Sequence, residues 1–390
     1  MYSAKTMLTH RNNVLPHQLR YSVHDSEKNW LKGRSITSFE SQLNTQITLG
    51  TTPSKVLQTS SMAQHSSPYI QLPFTIVDVF TESRFQGNPL AIVHLPPTSE
   101  YNPTQSQLQL IASEFNLSET IFLEHSVATD IDKSIRRARI FTTIREILFA
   151  GHPTIGAATY LLVHSTSDQA DTHTLVPGAG PIPISLIPSQ PGYVKAVVPQ
   201  NYHHHAGRLP ASRLLALHST LKPFIKEDES FPIVSIVHGM TFILVKVPDL
   251  EALAAAKLGN QSANILADSG VLDQGWEYNA PIAVYLYVRV AESSQEDVET
   301  IRTRMLVRGI EDPATGSAAS ALTAFLTLRN STIYGTEKQW KVIQGVEMGR
   351  RSEIGVRVSL RDGTIDTIEL SGTAVVASEG TIRVDSTGAL

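Results

Sequence analysis

Apolar and polar positions change their spacing several times along this 390-residue chain, and the changes divide it. Over residues 1–70 no apolar period is sustained, and Ser, Thr, Gln and Asn dominate, which predicts a disordered or dispensable extension. From Pro73 short apolar runs set in. Residues 74–80, 90–95 and 120–123 read as strands, with a turn at 86–89 between the first two. Leu108, Ile111, Ala112 and Phe115 share one face of a short helix that ends near Asn116. Residues 135–141 alternate apolar and basic side chains, as a half-exposed strand does. Further strands are expected at 182–187, 194–198, 233–237, 242–247 and 283–290. Two stretches differ from all of these. Residues 149–162 and 311–326 each run from a small-residue loop into a helix that is apolar almost all round, and such a helix must be enclosed.

The two enclosed helices also align with each other. Gly151-His152 lines up with Gly316-Ser317 at an offset of 165, which pairs Ala157 with Leu322, Tyr160 with Phe325 and Leu161 with Leu326. A second match sets 87–96 (GNPLAIVHLP) against 239–248 (GMTFILVKVP), at an offset of 152. Two matches in the same order predict a duplicated unit. Many short strands with few, very apolar helices indicate an α+β fold. The expected architecture is a duplicated one, with one buried helix wrapped by strands in each half and the two helix N-termini meeting where the domains join. The first domain is placed at 71–198 and the second at 199–390, with the last strand able to return to the first.

Composition narrows the chemistry. The chain has no cysteine, which excludes disulfides, thiolate catalysis and cysteine-ligated metals. A net charge of −4 without a basic stripe argues against a nucleic-acid or membrane-surface partner. Residues 1–70 carry seven Lys/Arg against three acids, +4, which leaves −8 for the remainder. The first acid of that extension is Asp25, a weak likeness to a mitochondrial transit segment; a start placed too early, with Met62 as the natural one, is the alternative.

Several polar residues stand at positions where chemistry is possible. Helices that open at glycine leave bare N–H groups and the positive dipole end facing outward, so Gly151, Gly316 and Ser317 outline anion sites. Glu119 lies between an amphipathic helix and an apolar strand, a place that suits either a general acid/base or a solvated loop acid. His152, at the start of the first enclosed helix, is either a substrate-facing imidazole or a polar residue satisfied by backbone. Asp312 and Glu311 precede the second helix, where its dipole favours negative charge in any case. His203-His204-His205 reads as a loop whose adjacent rings cannot easily converge on one ion, so no metal site is expected. Neither a phosphate-binding P-loop nor a dinucleotide fingerprint is present.

Taken together, Asp78-Val-Phe80, Gly87-Asn-Pro89, Asn116-Leu-Ser-Glu-Thr120, Phe149-Ala-Gly-His-Pro-Thr154, Glu311-Asp-Pro-Ala-Thr-Gly-Ser-Ala318, Gln344-Gly-Val-Glu-Met-Gly-Arg350 and Ser371-Gly-Thr-Ala374 resemble the PhzF-like family of phenazine-biosynthesis proteins. The likeness spans about residues 73–385. It implies the diaminopimelate-epimerase fold, an α+β arrangement of two similar domains, each a barrel-like sheet wrapped around a central apolar helix, related by a pseudo-twofold axis with a cleft between them. It also implies a cofactor-independent isomerase in the cytoplasm, working as a homodimer on a small carboxylate-bearing metabolite by allylic proton transfer. On this resemblance Glu119 matches the acid/base, and His152 and Asp312 match its catalytic neighbours. Asn88, Gly151, Gly316 and Ser317 match substrate-binding positions. Epimerases of this fold hold two cysteines where Gly151 and Gly316 stand, so two-thiol inversion is closed to this chain. The alternatives are a ligand-binding homologue without activity, or an epimerase or racemase that works without cysteine. Thr143, Leu148 and Arg351 depart from the family pattern near the cleft loops.

Overall fold

The computed structural model describes residues 69–124, 134–165, 173–258, 270–278, 282–290, 298–307 and 309–385. The expected extension, 1–70, lies almost wholly outside the described residues, and with it the transit-segment reading. All the described residues belong to the compact unit from residue 65 onward.

The first half opens with β1 (Tyr69–Val79) and β2 (Asn88–His94), followed by α1 (Gln105–Phe115), β3 (Thr120–Leu123), β4 (Ile135–Phe141) and the short β5 (Glu146–Ile147). It then enters α2 (Gly151–Thr159), which continues as one π-helical turn over Tyr160–His164, and closes with β6 (His173–Val176), β7 (Ile182–Leu186) and β8 (Val194–Val197). The second half contains β9 (His203–Pro210), α3 (Ala211–Leu217), β10 (Ser230–Val237), β11 (Met240–Lys246), α4 (Leu250–Ala255), β12 (Ala283–Val290), β13 (Val298–Val307) and β14 (Ile310–Asp312). It continues through α5 (Gly316–Arg329), α6 (Ser331–Tyr334), β15 (Glu337–Gln344), β16 (Ser352–Arg361), β17 (Thr364–Gly372) and β18 (Ala374–Asp385).

Strand pairing repeats in the two halves. β1–β2 is antiparallel, β2–β3 parallel across α1, β3–β4 and β4–β5 antiparallel, β4–β6 parallel across α2, and β6–β7–β8 antiparallel. β10–β11 is likewise antiparallel, β11–β12 parallel across α4, β12–β13 and β13–β14 antiparallel, β13–β15 parallel across α5, and β15–β16–β17 antiparallel. Of the two remaining strands, β18 crosses over from the second half to pair with β1, and β9 pairs with β10 within the second half. β8 pairs with β17 and joins the halves into one sheet system. The aligned glycines Gly87 and Gly239 occupy equivalent turns, with φ of +66° and +81°, where a Cβ is disfavoured.

The sheets pack apolar side chains into one inner core and two smaller outer ones. One core holds α2 and α5 together with Val79, Leu90, Ile140, Leu244, Tyr285 and Val342. Outside it, α1 covers Leu72, Val93, Phe122 and Phe141, while α3 and α4 cover Ile233, Val245, Leu286 and Leu306. Every residue of α2 is buried, and α5 is buried from Gly316 to Thr327 except at Ser317. Buried hydroxyls in α5 are satisfied locally: Ser320, Thr323 and Thr327 donate to carbonyls four residues back at 2.7–2.8 Å. Among the described residues no helix is long and apolar enough to cross a membrane.

One sequence expectation fails here. Residues 203–205 are not a loop but the start of β9, whose outward polar side chains hide its strand period.

Candidate active site

α2 and α5 meet end to end. A Cβ built on Gly151 would lie 3.0 Å from the Gly316 Cα and 3.0 Å from Leu370 Cδ2; one on Gly316 would lie 3.2 Å from the Gly151 Cα. A side chain at either position would push its neighbours back by a few tenths of an ångström. Neither helix has a capping side chain at its N-cap, Ala150 or Thr315. The first intrahelical bonds run from Thr154 N–H to Ala150 and from Ala319 N–H to Thr315. The earlier N–H groups, on Gly151 and His152 and on Gly316, Ser317 and Ala318, therefore face the junction as donors.

Glu119 stands beside this junction, at the end of the loop between α1 and β3, and keeps 20% of its side-chain surface open. Its Oε2 is 3.5 Å from His152 Nδ1. Burial pushes the Glu119 carboxyl up to about 7, and the nearby Asp312 carboxylate adds to this, while a hydrogen bond from Ser118 opposes it. Burial holds His152 down at about 3, so its ring is neutral and the contact with Glu119 is not an ion pair. His152 Nε2 is buried without a hydrogen-bond partner. A buried polar atom left over in this way is a place for a ligand group.

Asp312 is held from both halves. Asn88 Nδ2 donates to Asp312 Oδ1 at 2.8 Å and to the Ala314 carbonyl at 3.0 Å, and the Thr315 hydroxyl donates to Asp312 Oδ2. Thr315 thus orients a carboxylate instead of capping its helix. Behind them, Gln344 Nε2 donates to the Asp312 carbonyl at 2.8 Å and to Thr315 Oγ1 at 3.0 Å, and Tyr285 donates to Gln344 Oε1 at 3.0 Å. Burial raises Asp312 to about 6 despite the hydrogen bonds from Thr315 and Asn88 that lower it. The Ser118 hydroxyl reaches Asn88 Oδ1 at 3.5 Å and closes the chain of contacts back to Glu119.

The structure thus gathers Glu119, His152, Asp312, Asn88, Gly151 and Gly316 at one place, with Ser317 half-buried on the first turn of α5. Glu311 is turned away. It forms a bidentate pair with Arg304 at 2.7 and 2.8 Å, and Arg304 also donates to the carbonyls of Leu253, Ala254 and Ala256. That pair ties α4 to β13 and plays no part in the site. Sequence reasoning missed Ser118, Thr315, Tyr285 and Gln344. It also missed the role of Arg350, which donates to Asp78 at 2.6 Å and to the carbonyls of Gln86 and Gly87, fixing the turn that delivers Asn88. Asp78 and Gln344 are polar side chains beside apolar strand residues, and that contrast is the signal that could have found them.

A cavity of about 520 Å³ lies elsewhere, lined by Tyr193, Lys195, Lys341, Arg357 and Glu369. Leu370 reaches Gly151 and Gly316, so its strand neighbours Glu369 and Ser371 line that cavity from the opposite face of β17. Its charges are already paired, Lys195 with Glu369 and Lys341 with Glu353, each at 2.7 Å. The polar junction at Glu119 is the better candidate on chemistry.

The fold is of the diaminopimelate-epimerase type, and curated relatives of the chain are named isomerases. The chain belongs to the phenazine biosynthesis-like protein family, whose model matches residues 77–380. An uncharacterized isomerase of Mesorhizobium japonicum is 30% identical over 318 residues, covering 80% of this chain and 98% of that protein. The trans-2,3-dihydro-3-hydroxyanthranilate isomerase of Pseudomonas chlororaphis is 28% identical over 313 residues, covering 79% and 98%. Among solved structures, a PhzF-family phenazine biosynthesis protein of Bacillus anthracis superposes with a TM-score of 0.61 at 22% identity, covering 80% of this chain and 99% of that one. The same fold recurs in a probable proline racemase of Agrobacterium radiobacter, with a TM-score of 0.51 at 14% identity, covering 80% and 92%.

Proposed function

We propose that this protein is a cofactor-independent isomerase that moves a proton between two carbons of a small carboxylate-bearing metabolite, with Glu119 as the acid/base. The observation that carries this reading is a carboxyl raised to about 7, touching a neutral imidazole and standing beside two uncapped helix N-termini. A pKa near working pH lets one group both take and return a proton. The Glu119 carboxylate removes a proton from an sp³ carbon, the electron pair shifts along the adjacent double bond, and the protonated Glu119 delivers a proton at the far carbon. Nothing is oxidised or reduced, so the step balances without a redox partner.

The substrate carboxylate is set against the N–H groups of Gly151, Gly316 and Ser317, where donors stabilise an anion without a fixed charge. His152 Nε2, otherwise unpartnered, is the group that meets a substrate polar atom, and Asp312, steadied by Asn88, keeps Glu119 protonatable. The relatives from Pseudomonas carry the name of one substrate of the right kind, trans-2,3-dihydro-3-hydroxyanthranilate. That compound is the first to try. The absence of cysteine argues against two-thiol inversion as the rival chemistry. The reading extends to a cytoplasmic homodimer with domains at 71–198 and 199–390, the first completed by β18. Sedimentation velocity tests the dimer: a monomer at micromolar concentration would refute it. For the activity, a thermal-shift screen of small carboxylates followed by NMR of any hit is decisive. An α-centre that exchanges its proton with no migration of a double bond would overturn the allylic reading in favour of epimerisation.

A further inference from the structure

The three adjacent histidines of β9 do not act together, but two of them do. Strand alternation sends His204 to one side, where its ring meets Phe325 of α5 at 5.3 Å between centroids. His203 and His205 share the other side and face the segment 270–278, which supplies Asp273 and Trp276. His203 Nε2 is 2.8 Å from Asp273 Oδ2, and that oxygen is 4.0 Å from His205 Nδ1; all three donor atoms lie within 4.8 Å of one another. We propose that His203, His205 and Asp273 form a binding site for a borderline divalent cation, Zn²⁺ being the ion that suits two imidazoles and a carboxylate.

Three features of the surroundings support this. First, His205 is held in the form a ligand needs. The Asp273 backbone N–H points at His205 Nδ1 at 3.1 Å, which requires a lone pair there and places the ring proton on Nε2. Nε2 donates to Ser235 Oγ at 2.9 Å, and Ser235 is in turn bonded to Thr241. A ligating imidazole anchored through its other nitrogen is the usual outer-shell arrangement of a metal histidine.

Second, the carboxylate lacks a fixed cation. Among the described residues the ion-pair contacts of Asp273 are His203 and His205 alone, and its other donor is the Ala206 N–H. Third, the spacing fits. Donors about 2.0–2.1 Å from a tetrahedral ion stand roughly 3.3 Å apart; two of the separations here are 2.8 and 4.0 Å and all lie within 4.8 Å, so small side-chain shifts close the set on one ion. Trp276 stacks on His203 at 4.6 Å and meets His205 edge-on at 5.7 Å, closing one side. His203 and Asp273 are each one-third exposed, which leaves room for water as a fourth ligand. The ion replaces the His203–Asp273 hydrogen bond and the N–H contact to His205, and the neutral His203 ring carries its proton on Nδ1 when Nε2 ligates. It fastens segment 270–278 to β9 on the face of the strand away from α5.

The test uses the full-length, tag-free protein after chelator treatment, titrated with Zn²⁺ by calorimetry and with Co²⁺ by visible absorption at pH 7.5. The expected result is one equivalent bound, a tetrahedral Co²⁺ band, and a rise in Tm with Zn²⁺. His203→Gln and Asp273→Asn, both at partly exposed positions, should each lose stoichiometric binding, while His204→Gln keeps it. Ser235→Ala should weaken binding by about 10–100-fold. Absence of stoichiometric binding in the wild type overturns the proposal. So does binding that survives His203→Gln and Asp273→Asn, or that is lost in His204→Gln.

Discussion

Replacing Glu119 by Gln removes one ionisable proton and almost no volume, so it isolates the surroundings that raise this carboxyl. Its pKa stands at about 7 instead of 4.5, from burial first and the Asp312 carboxylate second. A raised acid pKa means that ionisation opposes folding. The penalty is absent well below pH 4.5, grows between pH 4.5 and about 7, and is complete above that. At 1.36 kcal/mol per pH unit the full penalty is about 3 kcal/mol. With 20% of the side chain open to water, about 2 kcal/mol is the expected size. Glu119→Gln should therefore be more stable than wild type by about 2 kcal/mol at pH 8 and nearly equal to it at pH 4, in urea unfolding followed by circular dichroism. A difference that does not change with pH, or a wild type that is the more stable at pH 8, would refute the reasoning.

Asp312→Asn takes away the second cause of that shift. The acid limb of kcat/KM, expected near pH 7 in the wild type because the first step needs the carboxylate, should move towards lower pH; an unmoved limb would separate the two groups. Arg304→Met should cost about 3–5 kcal/mol in thermal or urea unfolding, because it strands Glu311 and three carbonyls, while leaving substrate binding intact. Gly151→Ala places a Cβ 3.0 Å from the Gly316 backbone, and should cost about 1–3 kcal/mol of stability together with most of the activity. Wild-type kinetics in that variant would mean that the helix ends need not meet so closely.

The two central helices were legible because an all-apolar run with no polar face has only one place to go, and α2 and α5 are buried accordingly. Their alignment made the duplication visible before any pairing of strands was known. β9 was not legible: His204, Ala206 and Arg208 face water, so no apolar alternation marks it as a strand. The same misreading hid His203 and His205, whose partner Asp273 lies about 70 residues downstream. The site itself was legible only in part. Asn88 and Asp312 are 224 residues apart, and no local spacing pairs them; the motif resemblance did. Tyr285 reads as an ordinary member of an apolar strand and nothing in the sequence marks Thr303, yet with Gln344 they support Asp312 from behind. Residue chemistry and position do not separate Glu311 from Asp312; only the motif resemblance singles out Asp312. In β14 successive side chains point to opposite faces, which sends Asp312 to the site and Glu311 to Arg304.

The proton transfer assigned to Glu119 is tested most directly by NMR in D₂O, comparing wild type with Glu119→Gln. The substrates are trans-2,3-dihydro-3-hydroxyanthranilate and any small carboxylate found by thermal shift. Wild type should move the double bond and place deuterium on the carbon that gains the proton, while Glu119→Gln binds the same compound and does neither. Double-bond migration at the wild-type rate in Glu119→Gln would contradict the assignment.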